Sequence, residues 1–279
     1  MSIFHPLSPH SFLSTTPVGI VIAGHGSRNA KAVLAFKEQV KLSYLFQQGI
    51  VEIGFIEFEI PSIGEAIDCA ITRGAEKIFV LPAMLTSAHH VKTDIPNIIR
   101  MAQQKHPSVP ILYGRHLDLH PKIVERCKNL IQQALSGLGS INASNSNILL
   151  IVVGRGSKDE SGNQDVILLT NRLRETFGFG SALYCYTSVA NPLFKNVLET
   201  FAVHQCQAVL ILPYLLFEGI LMKKVEETMQ KFQAENHNII VKLTQTLGPD
   251  ILVAEALQDR CDEIVLRANQ QNSGYHQED

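Results

Sequence analysis

Short apolar stretches alternate with amphipathic stretches along most of the chain. Apolar runs of strand length occur at residues 18–24, 51–60, 76–82 and 109–114. Between the first two runs, residues 29–47 carry apolar side chains at three- and four-residue steps, which predicts a helix whose buried face is formed by Val33, Phe36, Val40 and Tyr44. Near-continuous apolar strands separated by amphipathic helices are typical of a parallel sheet covered on both faces. The pattern therefore predicts an α/β fold.

The same pattern occurs twice. The stretch NILLIVVGRGSKDE (147–160) repeats VGIVIAGHGSRNA (18–30), and AVLILPYLLFEGILMKKV (208–225) repeats KIFVLPAMLTSAHHVKTD (77–94). Gly24 and Pro82 recur as Gly154 and Pro213 at almost the same spacing, which indicates an internal duplication. Each half is therefore expected to be a four-stranded α/β unit, and the two halves are expected to face each other across a cleft.

The duplication predicts the domain organisation. We expect an N-terminal half at 18–135 and a C-terminal half at 148–268, joined by a Gly-, Ser- and Asn-rich linker at 136–147. Residues 1–17 and 269–279 are predicted to be disordered tails. Because residues 1–17 lack a basic start and a continuous apolar block, we do not expect a secretory signal.

The composition argues against several classes of protein. The chain has 279 residues, 46% of them hydrophobic, and a formal net charge of -2, so a basic face for nucleic acid is not expected. It contains no run of about 18 apolar residues that could cross a membrane. Its five cysteines are scattered and form no CxxC motif, which argues against a disulfide framework and a thiolate metal site and predicts a cytoplasmic protein.

Two histidines follow strands that should be neighbours. His25 follows the first strand and His90 the third, and the usual strand order 2-1-3-4 places those strands side by side. Ligands of open parallel sheets bind beyond the carboxyl ends of the strands, where strand order reverses. Glu57 and Glu59 lie near the end of the second strand, and alternation along a strand would put both on the same face.

These histidines occur in one half only. Their counterparts in the C-terminal half are Arg155 and Leu221, whereas the neighbouring glycines and Ser27 are retained. Each histidine alone is compatible with a helix cap or a surface position. Their convergence at one crevice and their joint loss in the second half favour a shared role in metal or proton chemistry.

Three other interpretations of the sequence are not favoured. The run GHGSR has neither the serine spacing of a nucleophile elbow nor the third glycine of a dinucleotide fingerprint. His116 and His120 have the i, i+4 spacing of a helical metal site, but Pro121 follows at once and would interrupt such a helix. A second metal site there is not favoured.

The runs GHGSR, FIEFEIPSI and LPAMLTSAHHVKTDIP closely resemble the class II chelatases, specifically the sirohydrochlorin cobalt and iron chelatases in their long, duplicated form. The resemblance implies a flavodoxin-like, chelatase-like fold in each half and a tetrapyrrole metal insertase. It places the metal-site histidines at His25 and His90 and the active-site glutamate at Glu57. The register of the H-V-x-x-D-I-P motif favours His90 over the adjacent His89.

The resemblance also implies a reaction. Fe²⁺ or Co²⁺ would enter sirohydrochlorin with release of two protons, in sirohaem or cobalamin biosynthesis, and Glu57 would accept a proton or help hold the ion. Arg28 and Lys92 are candidate substrate-binding residues because the substrate is a polycarboxylate. Arg155, which replaces His25 in the second half, is expected either to contact a substrate carboxylate or to form a salt bridge in the core. No cofactor is expected besides the metal substrate, and the linked halves predict a monomer. The alternatives are a metal carrier or sensor and a protoporphyrin ferrochelatase.

Overall fold

The computed structural model describes residues 17–87, 89–138, 145–200 and 206–273. It contains two parallel four-stranded sheets, ordered β2-β1-β3-β4 and β6-β5-β7-β8. The strands are β1 Val18–Gly24, β2 Ile50–Phe55, β3 Lys77–Pro82, β4 Ile111–Tyr113, β5 Ile148–Gly154, β6 Ser181–Tyr186, β7 Ala208–Pro213 and β8 Ile240–Leu243. The predicted α/β class and strand order are confirmed.

Helices cover both sheets. They are α1 Ala30–Lys41, α2 Ile63–Thr72, α3 Ile95–Lys105, α4 Pro121–Ser136, α5 Glu160–Phe177, α6 Phe194–Leu198, α7 Ile220–Glu235 and α8 Ile251–Ser273. A π-helical turn, His90–Asp94, leads directly into α3. None of the described helices is long and apolar enough to span a bilayer.

The two halves repeat one another in register and in side-chain detail. Gly24 pairs with Phe55 at the end of the first sheet, and Gly154 pairs with Tyr186 at the same place in the second. The side chain of Gln103 donates to the carbonyls of His106 and Val109 and accepts from the amide of Ile111. Gln233 makes the same three bonds with Asn236, Ile239 and Val241. The duplication read from the sequence is thus also a structural repeat.

The last helix of each half packs on the other half. Helix α4 contacts β7 of the second sheet, while α8 contacts β3 and α1 of the first and also packs along α4. One hydrophobic core contains buried residues of both sheets, such as Ile22 and Leu210. The predicted halves at 18–135 and 148–268 therefore follow the sequence repeat. In three dimensions the halves exchange their terminal helices, since the last helix of each half packs on the sheet of the other.

Polar contacts reinforce this exchange. Arg260 of α8 is almost fully buried, and its guanidinium donates to the carbonyls of His116 and Leu117 and to Asp118 Oδ1 at 2.7 Å. In return, Arg126 of α4 forms an ion pair with Asp250 at 3.1 Å. Buried ionic groups need such partners, because an unpaired charge in the interior is costly.

Two local predictions need correction. Helix α1 ends at Lys41 and a 3₁₀ turn follows at Tyr44–Gln47, so Tyr44 is exposed and Leu45 takes its place in the core. The change of direction occurs at Ser43, which is extended and donates its hydroxyl to Val40. Strand β2 ends at Phe55 rather than at residue 60, because the Phe55 amide already bonds to the Pro61 carbonyl.

The predicted C-terminal boundary also falls within a helix. Helix α8 continues to Ser273, beyond the predicted end at residue 268. Most of the predicted tails, at 1–16 and 274–279, and residues 139–144 of the predicted linker lie outside the described residues.

Candidate metal centre

His25 is placed by the first residues after β1. Its Nδ1 lies 3.1 Å from the carbonyl oxygen of Gly26. A carbonyl can only accept, so Nδ1 carries the hydrogen and Nε2 of the neutral ring carries a free lone pair. The Nε2 atom is buried and has no hydrogen-bond partner. A buried acceptor without a partner requires an explanation, since leaving it unpaired is unfavourable.

Glu57 is held beside His25 by main-chain bonds. The amides of Ile56 and Glu57 donate to the carbonyls of Gly24 and His25 at 3.0 and 3.1 Å, which holds the residues after β2 against those after β1. Gly26 adopts φ +89°, and a Cβ there would lie 1.8 Å from the Glu57 carbonyl oxygen. Only glycine permits this approach.

The contact between these two side chains is unusual. Glu57 Oε1 lies 3.3 Å from His25 Nε2, but the atoms form no hydrogen bond. With the hydrogen on Nδ1, both facing atoms are acceptors. Two lone pairs that face each other at this distance are balanced by a proton or by a metal cation between them.

His90 comes from the other neighbouring strand, on the loop after β3. The π-helical turn that carries it closes through a bond from the Ile95 amide to the His90 carbonyl. His90 Nδ1 donates to Asp94 Oδ2 at 2.7 Å, which leaves its Nε2 free. A carboxylate behind a metal-binding imidazole fixes the ring orientation and raises the basicity of the ligating nitrogen. π-Turns of this kind are frequent at functional sites.

The three side chains converge. The rings of His25 and His90 have centroids 4.8 Å apart and are nearly perpendicular, at 89°. One ring nitrogen of each and a carboxylate oxygen of Glu57 all lie within 4.8 Å of one another. All three side chains are partly accessible, so an ion bound there would have an open side. Two imidazoles, one carboxylate and an open position form the donor set of a catalytic rather than a structural metal site.

The electrostatic surroundings keep His25 neutral. Burial lowers the pKa of His25, and the positive charge of Arg155 in the C-terminal half lowers it further. The Gly26 hydrogen bond and the Glu57 charge act in the opposite direction but do not reverse the shift. A neutral imidazole is the form that binds a metal, so the site is ready for a cation near pH 7.

The two predicted cationic residues are positioned differently. The guanidinium carbon of Arg28 lies 4.9 Å from the centroid of the Phe58 ring, which in turn stacks 6.2 Å from the His25 ring. Lys92 reaches the C-terminal half, where its Nζ binds Asp159 Oδ2 at 2.6 Å and the Ser161 hydroxyl. Their roles in substrate binding stay predictions, and the charge of Lys92 is already paired.

A family model described as CbiX matches residues 19–134 and, a second time, residues 149–264. The chain belongs to the CbiX family. The resemblance to the sirohydrochlorin chelatases is thereby confirmed.

Two curated relatives extend over most of this CbiX protein. Over 249 residues, 88% of this chain and 79% of the relative, it is 30% identical to the sirohydrochlorin cobaltochelatase of Priestia megaterium. Over 255 residues, 90% of this chain and 94% of the relative, it is 30% identical to the sirohydrochlorin ferrochelatase of Bacillus subtilis strain 168. The relatives thus differ in the metal that their names specify.

Solved structures give the same family. The sirohydrochlorin chelatase SirB from Bacillus subtilis subspecies spizizenii in complex with cobalt matches with a TM-score of 0.76 and 26% identity, covering 92% of this chain and 98% of that chain. SirB from Bacillus subtilis with Fe³⁺ matches with a TM-score of 0.79 and 28% identity over the same shares of the two chains. The duplicated chelatase-like fold predicted from the sequence is confirmed.

Sequence reasoning about the CbiX site was incomplete in two respects. The resemblance placed Glu57 in the site, and alternation along a strand predicted that Glu57 and Glu59 share one face. Both residues follow the end of the strand, and Phe58 between them adopts φ +67°. Alternation therefore fails there, and Glu59 is not in the cluster found among the described residues. Asp94 was missed as a partner of His90. The i, i+4 spacing of these two residues was the available signal. The adjacent His89 is exposed and lies outside the cluster.

Proposed function

We propose that this protein is a sirohydrochlorin chelatase that inserts Fe²⁺ or Co²⁺ into the free-base tetrapyrrole and releases two protons, in sirohaem or cobalamin biosynthesis. The observation that carries the proposal is the pair of facing acceptors, His25 Nε2 and Glu57 Oε1, 3.3 Å apart beside His90. The chelatase names of relatives along nearly the whole chain support it.

The donor set suits an ion that must be passed on. Imidazole and carboxylate bind borderline ions such as Fe²⁺ and Co²⁺, and neither ligand selects one of them. Three protein donors leave coordination positions open, so pyrrole nitrogens can replace protein ligands stepwise. A closed site of four thiolates and imidazoles would retain the ion more firmly.

Proton removal needs an acceptor beside the metal. In the reaction, two pyrrole N–H bonds break as two metal–nitrogen bonds form, and both protons leave to protein groups or water. Glu57 lies next to the metal position and is partly open to solvent, so its carboxylate can accept a proton or hold the ion. Asp94 acts behind His90, where it orients the ring.

The remaining expectations belong to the same proposal. Arg28, anchored over Phe58 near the metal centre, is a candidate partner for substrate carboxylates, and Lys92 is a second. We further propose that the protein acts as a cytoplasmic monomer and requires no cofactor besides its metal substrate. The exchange of terminal helices supports the monomer, because the two halves of one chain already bury each other's surfaces.

The test is absorbance-monitored insertion of Fe²⁺ and of Co²⁺ into sirohydrochlorin by the purified protein, with protoporphyrin IX as the comparison substrate. We expect metallation of sirohydrochlorin well above the protein-free rate and none of protoporphyrin. Metallation of protoporphyrin alone would identify a protoporphyrin ferrochelatase and contradict the proposal.

Calorimetric titration with Co²⁺ in the absence of tetrapyrrole separates the enzyme from a metal carrier. The open three-donor centre predicts weak binding by an active enzyme. Tight binding without any metallation of sirohydrochlorin would identify a carrier or sensor.

A further inference from the structure

The C-terminal half retains the architecture of the metal centre but not its donors. The amides of Thr187 and Ser188 donate to the carbonyls of Gly154 and Arg155 at 2.9 and 3.3 Å, which repeats the bonds that hold Glu57 beside His25. Gly156 adopts φ +87°, and a Cβ there would lie 2.0 Å from the Ser188 carbonyl oxygen. The backbone therefore still presents side chains as the N-terminal half does.

The side chains at these positions of the C-terminal half favour an anion, whereas those of the N-terminal half favour a metal cation. Arg155, Ser188 and Leu221 occupy the positions that correspond to the three metal donors. A guanidinium cannot bind a cation, but it binds carboxylates strongly and often through two parallel hydrogen bonds. The position is therefore suited to an anion.

Arg155 is free to act on a ligand. Its side chain is exposed, and among the described residues its guanidinium has no acidic partner and no hydrogen bond. Arg126 and Arg260, by contrast, are tied to acids and main-chain carbonyls. The predicted alternative, a core salt bridge of Arg155, is not formed.

The turn that follows Arg155 lies beside the His90 loop. The turn after Arg155 is joined to the His90 loop by the Lys92–Asp159 ion pair of 2.6 Å and by the contact of the Ser87 and Ser161 hydroxyls at 3.3 Å. The positive charge of Arg155 also lowers the pKa of His25. Ligand bound over the metal donors would therefore lie next to this guanidinium.

A second cation stands at the same end of the sheet. Lys224 Nζ donates to the Thr187 carbonyl at 3.1 Å, and the Thr187 hydroxyl donates to the Arg155 carbonyl at 2.9 Å. Lys224 and Lys195 also line a small cavity of about 70 Å³ there. Lys224 therefore adds a second cation at the end of the sheet that carries Arg155, and cations of this kind favour an acidic ligand.

We propose that Arg155 binds a carboxylate of the tetrapyrrole, so that the C-terminal half orients the acidic macrocycle over the metal donors of the N-terminal half. This inference rests on the proposed chelatase function. It assigns the second half a substrate-binding role in place of the lost metal chemistry.

The test compares Arg155→Gln with Arg155→Lys and with Arg172→Gln, a control that removes a similarly exposed arginine from α5. We expect Arg155→Gln to raise the KM for sirohydrochlorin roughly tenfold, the loss of about one charge-assisted hydrogen bond, with kcat within about twofold. Arg155→Lys should recover part of the loss, because it restores the charge but not the bidentate geometry. Arg172→Gln should match the parent.

Two further measurements separate the possible failures. Metal-free absorbance titration of sirohydrochlorin should show weaker binding by Arg155→Gln than by the parent. Equal binding and equal KM would overturn the role of Arg155 and leave the chelatase function intact. A parent that neither binds nor metallates sirohydrochlorin would overturn the proposed function itself. Tighter Co²⁺ binding by Arg155→Gln with an unchanged KM would mean that Arg155 only repels the metal, which also contradicts the inference.

Discussion

The loops that follow β1 and β5 have the same backbone conformation but carry different side chains. Each strand ends in a glycine, and a second glycine with φ near +90°, Gly26 or Gly156, allows the following loop to close against the neighbouring strand. At the tip of that loop, Phe58 and Val189 adopt nearly the same left-handed conformation, with φ of 67° and 69°. The fold has therefore kept the geometry of the site in both halves.

The side chains show which constraint is functional. In the N-terminal half the site holds two imidazoles and a carboxylate, and in the C-terminal half it holds a guanidinium, a hydroxyl and an aliphatic chain. Folding of the turn needs the glycines but not the histidines, since the C-terminal half forms the same turn without them. The C-terminal half is therefore an internal control for the proposed role of the histidines, because it keeps the fold of the turn without them.

The largest expected effect comes from removing a donor. His25→Ala or His90→Ala should each lower the rate of metal insertion by roughly 10³-fold, because the loss of a metal ligand removes several kcal/mol of stabilisation. Insertion assays on both variants test this, with thermal unfolding as a check on the fold. His89→Ala is the matched neighbour and should stay within about twofold of the parent. If both donor variants inserted metal at the parental rate, the reaction would not depend on the two histidines that distinguish the N-terminal half from the C-terminal half.

The next effect concerns the carboxylate behind His90. Asp94→Asn should weaken Co²⁺ binding roughly 10- to 100-fold, because an amide orients the imidazole but does not raise its basicity as a carboxylate does. Calorimetric titration measures the change. Asp68→Asn is the control, since Asp68 of α2 binds His106, the residue after α3, at 2.7 Å in a comparable pair outside the metal centre. Equal losses in both variants would argue against a specific role for Asp94.

The equivalent glycines allow a direct comparison of the halves. Gly26→Ala and Gly156→Ala should each destabilise the protein by at least about 2 kcal/mol, because both place a Cβ against a carbonyl oxygen at positive φ. Only Gly26→Ala should also weaken Co²⁺ binding, since it displaces Glu57 from His25. Urea unfolding and metal titration of both variants give the two readouts. Loss of Co²⁺ binding in Gly156→Ala as well would indicate that the halves are not functionally distinct.

The smallest effect concerns the caps of the two terminal helices. His120 Nδ1 accepts from the Lys122 amide at the start of α4, whereas Asp250 Oδ1 accepts from the Leu252 amide at the start of α8. Burial, and next the charge of Arg260, lowers the pKa of His120. His120 of the unfolded chain therefore binds a proton at a higher pH than His120 of the folded protein does. The contribution of this cap to the free energy of unfolding is fully present above pH 6.5 and declines as the pH falls below that value.

His120→Asn tests this difference, because asparagine is a good cap that does not titrate. The melting temperature of the parent should fall between pH 7.5 and pH 5.5, and that of the variant should fall less. The burial-lowered pKa of His116 leaves part of the pH dependence in both proteins. Identical melting curves for parent and variant across this range would remove His120 from the explanation.

The sequence predicted the strand order and the meeting of His25 and His90 for a physical reason. Parallel strands joined by short crossovers have few permitted arrangements, and the repeat supplied the same pattern twice. Sequence did not predict which sheet the terminal helices would cover. An amphipathic pattern shows that α4 and α8 each have a buried face. It does not show which sheet that face covers, because an apolar face can pack on either sheet.

The local errors have a common origin in chain reversals. The burial of Tyr44 and the shared face of Glu57 and Glu59 were both predicted by extending a regular period past the point where the element ends. In each case a backbone bond closes the chain, between Ser43 and Val40 or between Phe55 and Pro61. Glu57 nevertheless lies in the site, because the loop continues to pair with the residues after β1. The π-turn that brings Asp94 behind His90 has no distinctive period and was not predicted.

The most direct test of the asymmetry is the anomalous difference map of crystals of this protein soaked in Co²⁺. The account predicts one strong peak between His25, Glu57 and His90, and none beside Arg155, Ser188 and Leu221. A peak at the C-terminal position, or a cobalt ion bound elsewhere while the three N-terminal donors stay empty, would contradict it.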